Sequence, residues 1–253
     1  MRDSAFTLWC TGLSGAGKST LCAAVARELE RRGVRAAWLD GDEVRRELSA
    51  GLGFGRADRI ENARRVAYVA HALNRYGVPV LVSLISPYRE MRDVARARLS
   101  SFIEVYVRCS LTTCERRDPK ALYARARRGE IPAFTGVSDP YEEPEHPDLV
   151  VDTDELGPEE AAERVVRYLE GAGYIPAPGM RRLHLEVPAD EFSRLEAAAS
   201  VAGIAGPESF VRLVAAEAAT SLAPVGADRA EGGAAADDEV VLARLRDLGY
   251  IDA

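Results

Sequence analysis

Eight consecutive residues, Gly12-Leu13-Ser14-Gly15-Ala16-Gly17-Lys18-Ser19, constrain this chain more than any others. They read G-x-x-x-x-G-K-S. A short apolar, β-rich run (residues 6–11) leads into them, and apolar residues at helical spacing over 18–32 lead out, stopping at Gly33. A strand that turns through glycines into a helix aims successive backbone N–H groups at one anion, and the helix N-terminus adds partial positive charge. Lys18 is placed to neutralise β and γ phosphates, and the Ser19 hydroxyl, followed by Thr20, suits Mg²⁺. The pattern predicts nucleoside triphosphate binding without separating a kinase from a GTPase or a motor.

The rest of the first 176 residues alternates strand and helix. Residues 36–39 are strand-like, 57–76 form a long helical pattern closed by Gly77, and 78–85 are almost continuously aliphatic. Such an unbroken run suits a strand covered on both faces. Two more strands are expected at 102–107 and 149–151. The order predicts an α/β chain of the P-loop NTPase type, with three layers, a mostly parallel sheet and helices on both sides.

Composition narrows the function. Of 253 residues, 47% are hydrophobic and 29% charged, a globular mix that excludes a fibrous or wholly disordered chain. No apolar stretch reaches the ~20 residues of a membrane span. The N-terminus lacks a signal-peptide pattern. The net charge of −7 argues against a generic nucleic-acid coat. Four cysteines without framework spacing suit a reducing cytoplasm and no disulfides.

Candidate site residues gather where strands should end. Asp40-Gly41-Asp42 follows the second strand at the carboxyl edge of the sheet, where α/β proteins bind ligands. Carboxylates there can hold Mg²⁺ or take a proton from an attacking hydroxyl, and Asp42 also suits a helix cap. Arg45, Arg46, Arg56, Arg59, Arg64 and Arg65 crowd a nearly neutral region, which suggests an anionic acceptor. Phe54, between two glycines, suits stacking on a base or anchoring a loop. Ser86 follows the third strand and has no histidine at a suggestive spacing, so it reads as a hydrogen-bond donor rather than a nucleophile. The basic stretch 118–136 suits a lid that closes over reactants.

In order, these segments resemble the adenylylsulfate (APS) kinases over roughly residues 6–153. The motifs are GLSGAGKST (12–20), LDGD (39–42), LGF (52–54), DRIENARR (58–65), ISPYR (85–89), IEVYVRC (103–109), CERRDPKALY (114–123), ARRGEIPAFTG (126–136), DPYEEPEHP (139–147) and VDT (151–153). The resemblance implies transfer of the γ-phosphate of ATP to the ribose 3′-hydroxyl of APS, giving PAPS for sulfate assimilation, with Mg²⁺ as cofactor. It implies that residues 12–20 (Gly12, Leu13, Ser14, Gly15, Ala16, Gly17, Lys18, Ser19, Thr20) hold ATP phosphates and that Arg117 lies near the ATP base. Ser19 and Asp40 would serve the metal, and Lys18, Asp40, Asp42 and Ser86 the chemistry, without an obligatory covalent intermediate. Arg45, Arg59 and Asn62 would contact the acceptor, Phe54 and Phe134 would sandwich its adenine, Asp42, Ile85 and Ser86 would line its site, and Lys120, a further substrate-binding residue, would begin the lid together with Arg117. Glu43, Arg46 and Glu47 depart from the family pattern. They leave open a kinase of the same fold acting on another nucleotide-linked acceptor in a specialised pathway.

Beyond residue 176 the chain changes character. Residues 177–253 carry seven arginines against thirteen carboxylates and no lysine. A strand–helix–helix module is expected at 177–222, with a strand-like alternation from Arg181 and helices at 190–202 and 207–221. It weakly resembles a ribbon-helix-helix module, which implies a homodimer. A small helical extension packed on the first region is the other reading. The acidic balance disfavours DNA as a partner, so a nucleotide- or DNA-binding regulator stands last among the functions. A flexible linker (223–238) and an amphipathic helix (239–253) would close the chain. Any sulfurylase partner is beyond the sequence.

Overall fold

The computed structural model describes residues 5–176 and 187–222. The chain divides into two compact units, Met1–Leu183 and His184–Ala253. The change of unit falls within residues 177–186, outside the described residues, as do the strand expected from Arg181, the linker and the last helix.

In chain order the first unit runs β1 (Thr7–Thr11), α1 (Lys18–Arg31), β2 (Ala37–Asp40), α2 (Gly41–Glu47), α3 (Arg56–Arg75), β3 (Val80–Ser83), α4 (Arg89–Arg98), β4 (Phe102–Arg108), α5 (Leu111–Arg117), α6 (Leu122–Arg127), β5 (Leu149–Asp152) and α7 (Pro158–Gly171). The five strands form one parallel sheet in the order β2-β3-β1-β4-β5. The expected three-layer α/β arrangement is therefore present. The sequence reading lacked α4 and α7. Both carry many charged residues on their outer faces, which hid short buried stripes such as Met91 and Ala95, or Ala161, Val165 and Leu169.

Alternation along β1 divides the core. Leu8 and Cys10 face the layer holding Leu21, Val25, Val165 and Leu169, while Trp9 faces Val66, Ala70, Met91 and Ala95 on the other side. All four cysteines are free and buried. Because the strands are parallel, the ends of β1, β2 and β3 open on one edge. The register sets Asp40 beside Ser83 and Ser83 beside Cys10. The phosphate loop, the acidic turn and the loop around Ser86 thereby meet.

Among its described residues the second unit has two helices, α8 (Ala189–Val201) and α9 (Pro207–Leu222), close to the expected pair. Gly203 and Gly206, both at positive φ, make the turn between them. Among the described residues, no helix is long and apolar enough to cross a membrane.

Candidate active site

The phosphate loop is built by close backbone approach. A Cβ on Gly12 would lie 2.4 Å from the Val107 carbonyl oxygen, so only glycine lets the loop leave β1 beside β4. Gly15 and Gly17 take φ of 74° and 92°. Helix α1 begins at Lys18 with no side-chain cap, leaving its first amides for an anion. The Lys18 ammonium donates to the carbonyls of Gly12 (2.9 Å) and Leu13 (2.7 Å). Burial lowers its pKa from 10.5 to about 8.

Asp40 anchors the neighbouring turn. Its Oδ2 accepts from Ser19 Oγ (2.6 Å) and Ser83 Oγ (2.9 Å), and its Oδ1 accepts from the Asp42 amide (3.0 Å). Asp40 therefore caps α2, whereas the sequence suggested Asp42 for that role; the carboxylate of Asp40 reaches the amide two residues on. Burial works to raise the Asp40 pKa, but the bonds from Ser19, the Asp42 amide and Ser83 outweigh it and the net shift is downward. Trp38 Nε1 donates to Ser83 Oγ at 3.1 Å. Asp42 is exposed and ion-paired with Lys120 across the cleft.

Ser19 and Asp40 offer two hard oxygen donors at the end of the phosphate loop. Among the described residues no cluster of three or more His, Cys, Asp or Glu could hold a metal. Such a sparse protein contribution fits Mg²⁺, which keeps waters and takes phosphate oxygens as ligands.

The basic residues divide between site and surface. Arg59 is buried and donates to the carbonyls of Phe54 (2.7 Å) and Ala133 (3.2 Å), with Asp139 3.9 Å away. Arg45 donates to the Gly53 carbonyl (2.8 Å) and lies 4.8 Å over the Phe54 ring. Phe54 is 62% exposed, so its ring is a platform in the cleft rather than a core anchor. Phe134 is buried and meets Tyr123 edge to face at 5.0 Å. Asn62 is buried with Oδ1 lacking a hydrogen-bond partner. Arg64 and Arg65 pair with Glu61, and Arg56 with Glu90 and Glu142, outside the cleft.

The cleft has a volume of about 1310 Å³ and is lined by both sets of residues, from Lys18, Ser19, Asp40 and Asp42 to Arg45, Phe54, Arg59, Asn62, Ile85, Ser86 and Phe134. Arg117 and Lys120 lie on its rim. Arg117 donates to the Gly15 carbonyl of the phosphate loop (3.4 Å) and to the carbonyl of Thr153, just after β5 (2.6 Å), and so ties the two together. Sequence reasoning gave no role to Thr153, whose hydroxyl donates to the Ala16 carbonyl at 3.0 Å, nor to Tyr123, which donates to the Ser14 carbonyl at 2.9 Å, nor to Ser83. Each lies far along the chain from its partner, and only the ordered motifs around Thr153 and Tyr123 hinted at them.

The chain is similar to known proteins. The adenylyl-sulfate kinase of Halothermothrix orenii is 52% identical over 172 residues, covering 68% of this chain and 93% of that one. That of Picosynechococcus sp. is 50% identical over 175 residues, covering 69% of this chain and 99% of that one. The Mycobacterium tuberculosis APS kinase CysC, solved in complex with AMPPNP and APS, is 46% identical with a TM-score of 0.64, covering 66% of this chain and 98% of that one. Residues 4–152 match the adenylylsulphate kinase family, and with a phosphate loop, an acidic turn and an arginine-lined acceptor face meeting in one cleft, the chain belongs to that family.

Proposed function

We propose that this chain transfers the γ-phosphoryl group of ATP to the 3′-hydroxyl of adenosine 5′-phosphosulfate, acting in the cytoplasm with Mg²⁺. The observation that carries the reading is the single cleft joining the phosphate loop to the Phe54–Arg59–Asn62 face. It is supported by the family and by the relative that holds an ATP mimic and APS together. Lys18 and the α1 amides bind the triphosphate, and Ser19 and Asp40 hold the metal. When bound, Mg²⁺ neutralises phosphate charge that grows during transfer. Asp42 receives the proton of the attacking hydroxyl, with Lys120 beside it to orient the carboxylate. Arg45 and Arg59 meet the phosphosulfate, and Phe54 and Phe134 enclose the adenine. The segment from Asp118 to Gly136 acts as a lid that excludes water.

Glu43, Arg46 and Glu47, which depart from the family pattern, do not line the cleft, and Arg46 pairs with Glu47 at 2.7 Å on the surface. Arg46 and Glu47 offset each other, Glu43 adds one solvated negative charge, and all three are exposed outside the cleft lining, which favours APS over another acceptor. A coupled ADP-release assay comparing APS with a panel of nucleotides tests this. Turnover with another nucleotide and none with APS would refute it.

Arg59→Ala should raise the KM for APS at least about tenfold, the value of a charge-assisted hydrogen bond, with a smaller change for ATP. Equal weakening of both would argue against the acceptor face. The chain also acts as a homodimer through its second unit in this reading, where Phe192, Val201 and Leu213 are exposed apolar residues. Removing residues 177–253 should then halve the sedimenting mass beyond the loss of the segment itself. An unchanged state of association counts against it.

A further inference from the structure

Ser86 is the most constrained residue of the acceptor face. It is 1% exposed and takes φ of 44°, a left-handed conformation that a serine adopts only when its surroundings impose it. Arg92 Nη1 holds its carbonyl at 2.7 Å. Its hydroxyl receives the indole N–H of Trp9 at 2.9 Å, within the buried layer between β1 and α4. An indole nitrogen can only donate. The bond therefore uses one of the two lone pairs of Ser86 Oγ and turns its single proton away from Trp9, to be donated elsewhere. Among the described residues no acceptor takes that proton, and Ser86 lines the cleft.

We propose that Trp9 is a positioning residue for the acceptor substrate: its indole N–H holds the Ser86 hydroxyl in the donor sense, toward an oxygen of the bound nucleotide. The inference rests on the acceptor reading given above. Trp9 is completely buried, packs on Phe102 at 5.8 Å and touches the substrate only through Ser86. A hydroxyl whose proton is turned away from Trp9 offers a donor to an oxygen with free lone pairs, such as a phosphate, a sulfate or a ribose oxygen.

The test is equilibrium binding of APS to the full chain in the presence of ADP, for wild type, Trp9→Phe, Ser86→Ala and the double variant. Phenylalanine keeps an aromatic ring in the layer and removes only the N–H donor and one ring. Each single change should weaken APS about fivefold, the worth of one neutral hydrogen bond, with ADP affinity unchanged. The double variant should bind APS no more weakly than Ser86→Ala alone, because Trp9 acts through Ser86. Losses that multiply in the double variant, or full APS affinity in Trp9→Phe, overturn the inference while leaving the acceptor reading intact. A wild-type protein that takes ADP but not APS overturns that reading, and this inference with it. Should Trp9→Phe fail to fold, the indole ¹H–¹⁵N resonance of Trp9, assigned with Trp38→Phe, decides. APS should shift it in the wild type and not in Ser86→Ala; a resonance insensitive to APS in the wild type overturns the inference.

Discussion

Lys18→Ala is expected to lower kcat by about 10²–10³-fold or more, the cost of removing a preorganised charge from a developing anion. Thermal stability should not fall with it. Lys18 sits buried against the Gly12 and Leu13 carbonyls, and its pKa of about 8 says that the folded chain without nucleotide holds its proton less tightly than the unfolded chain does. The charged form thus opposes folding below about pH 8, and that penalty fades as the pH rises toward the ordinary 10.5. Nucleotide binding above pH 8 should take up a proton, because the triphosphate restores the charge that burial removes. Calorimetry in buffers of different ionisation enthalpy measures that uptake. An alanine variant that keeps wild-type turnover would remove Lys18 from the site, and binding without proton uptake would place its charge elsewhere.

The second large effect concerns a buried ion pair outside the chemistry. Arg92 on α4 and Glu104 on β4 are both almost fully buried, with Nε and Oε1 2.7 Å apart. Oε1 lacks the alignment of a hydrogen bond, so the contact is charge on charge. Arg92 also donates to the Ser86 carbonyl and, at 2.7 Å, to the Glu142 carbonyl. Arg92→Met should cost about 3–5 kcal/mol, since it leaves Glu104 in the core with only Arg96 beside it. In a chain of this size that loss lowers Tm by about 10 °C or more. Combining it with Glu104→Leu should recover most of the stability, because no charge is then left unpaired. It should not recover APS affinity, because the Ser86 carbonyl has lost its short charged donor at 2.7 Å and keeps only the Thr11 hydroxyl at 3.4 Å. Thermal denaturation and APS binding on the same samples separate the two. A Tm within about 2 °C of the wild type in Arg92→Met would show that the pair is solvated in solution.

The site's two halves were legible to different degrees. The phosphate loop is contiguous, and each requirement it meets (glycine at positive φ, a lysine, a hydroxyl, a helix start) belongs to one local backbone path. Asp40 could be placed from its strand alone. The helices α4 and α7 were lost because their outer charge masks a narrow apolar stripe. The exposure of Phe54 and the sorting of the arginines into Arg45 and Arg59 within the cleft and Arg56, Arg64 and Arg65 outside it depend on which faces of α2 and α3 turn to the cleft and on the path of the loop between them.

The ordered motifs and the strand–loop–helix spacing determined the family, the nucleotide and the class of reaction, because these depend on neighbours along the chain. Tertiary structure alone decided the strand order β2-β3-β1-β4-β5, and with it the meetings of Trp9 with Ser86, Asp40 with Ser83 and Arg92 with Glu104. Parallel strands of similar apolar content carry no local mark of which neighbour each will take. The order is set by how the helices cover both faces at once, and only then do residues distant in the chain come within a bond of one another.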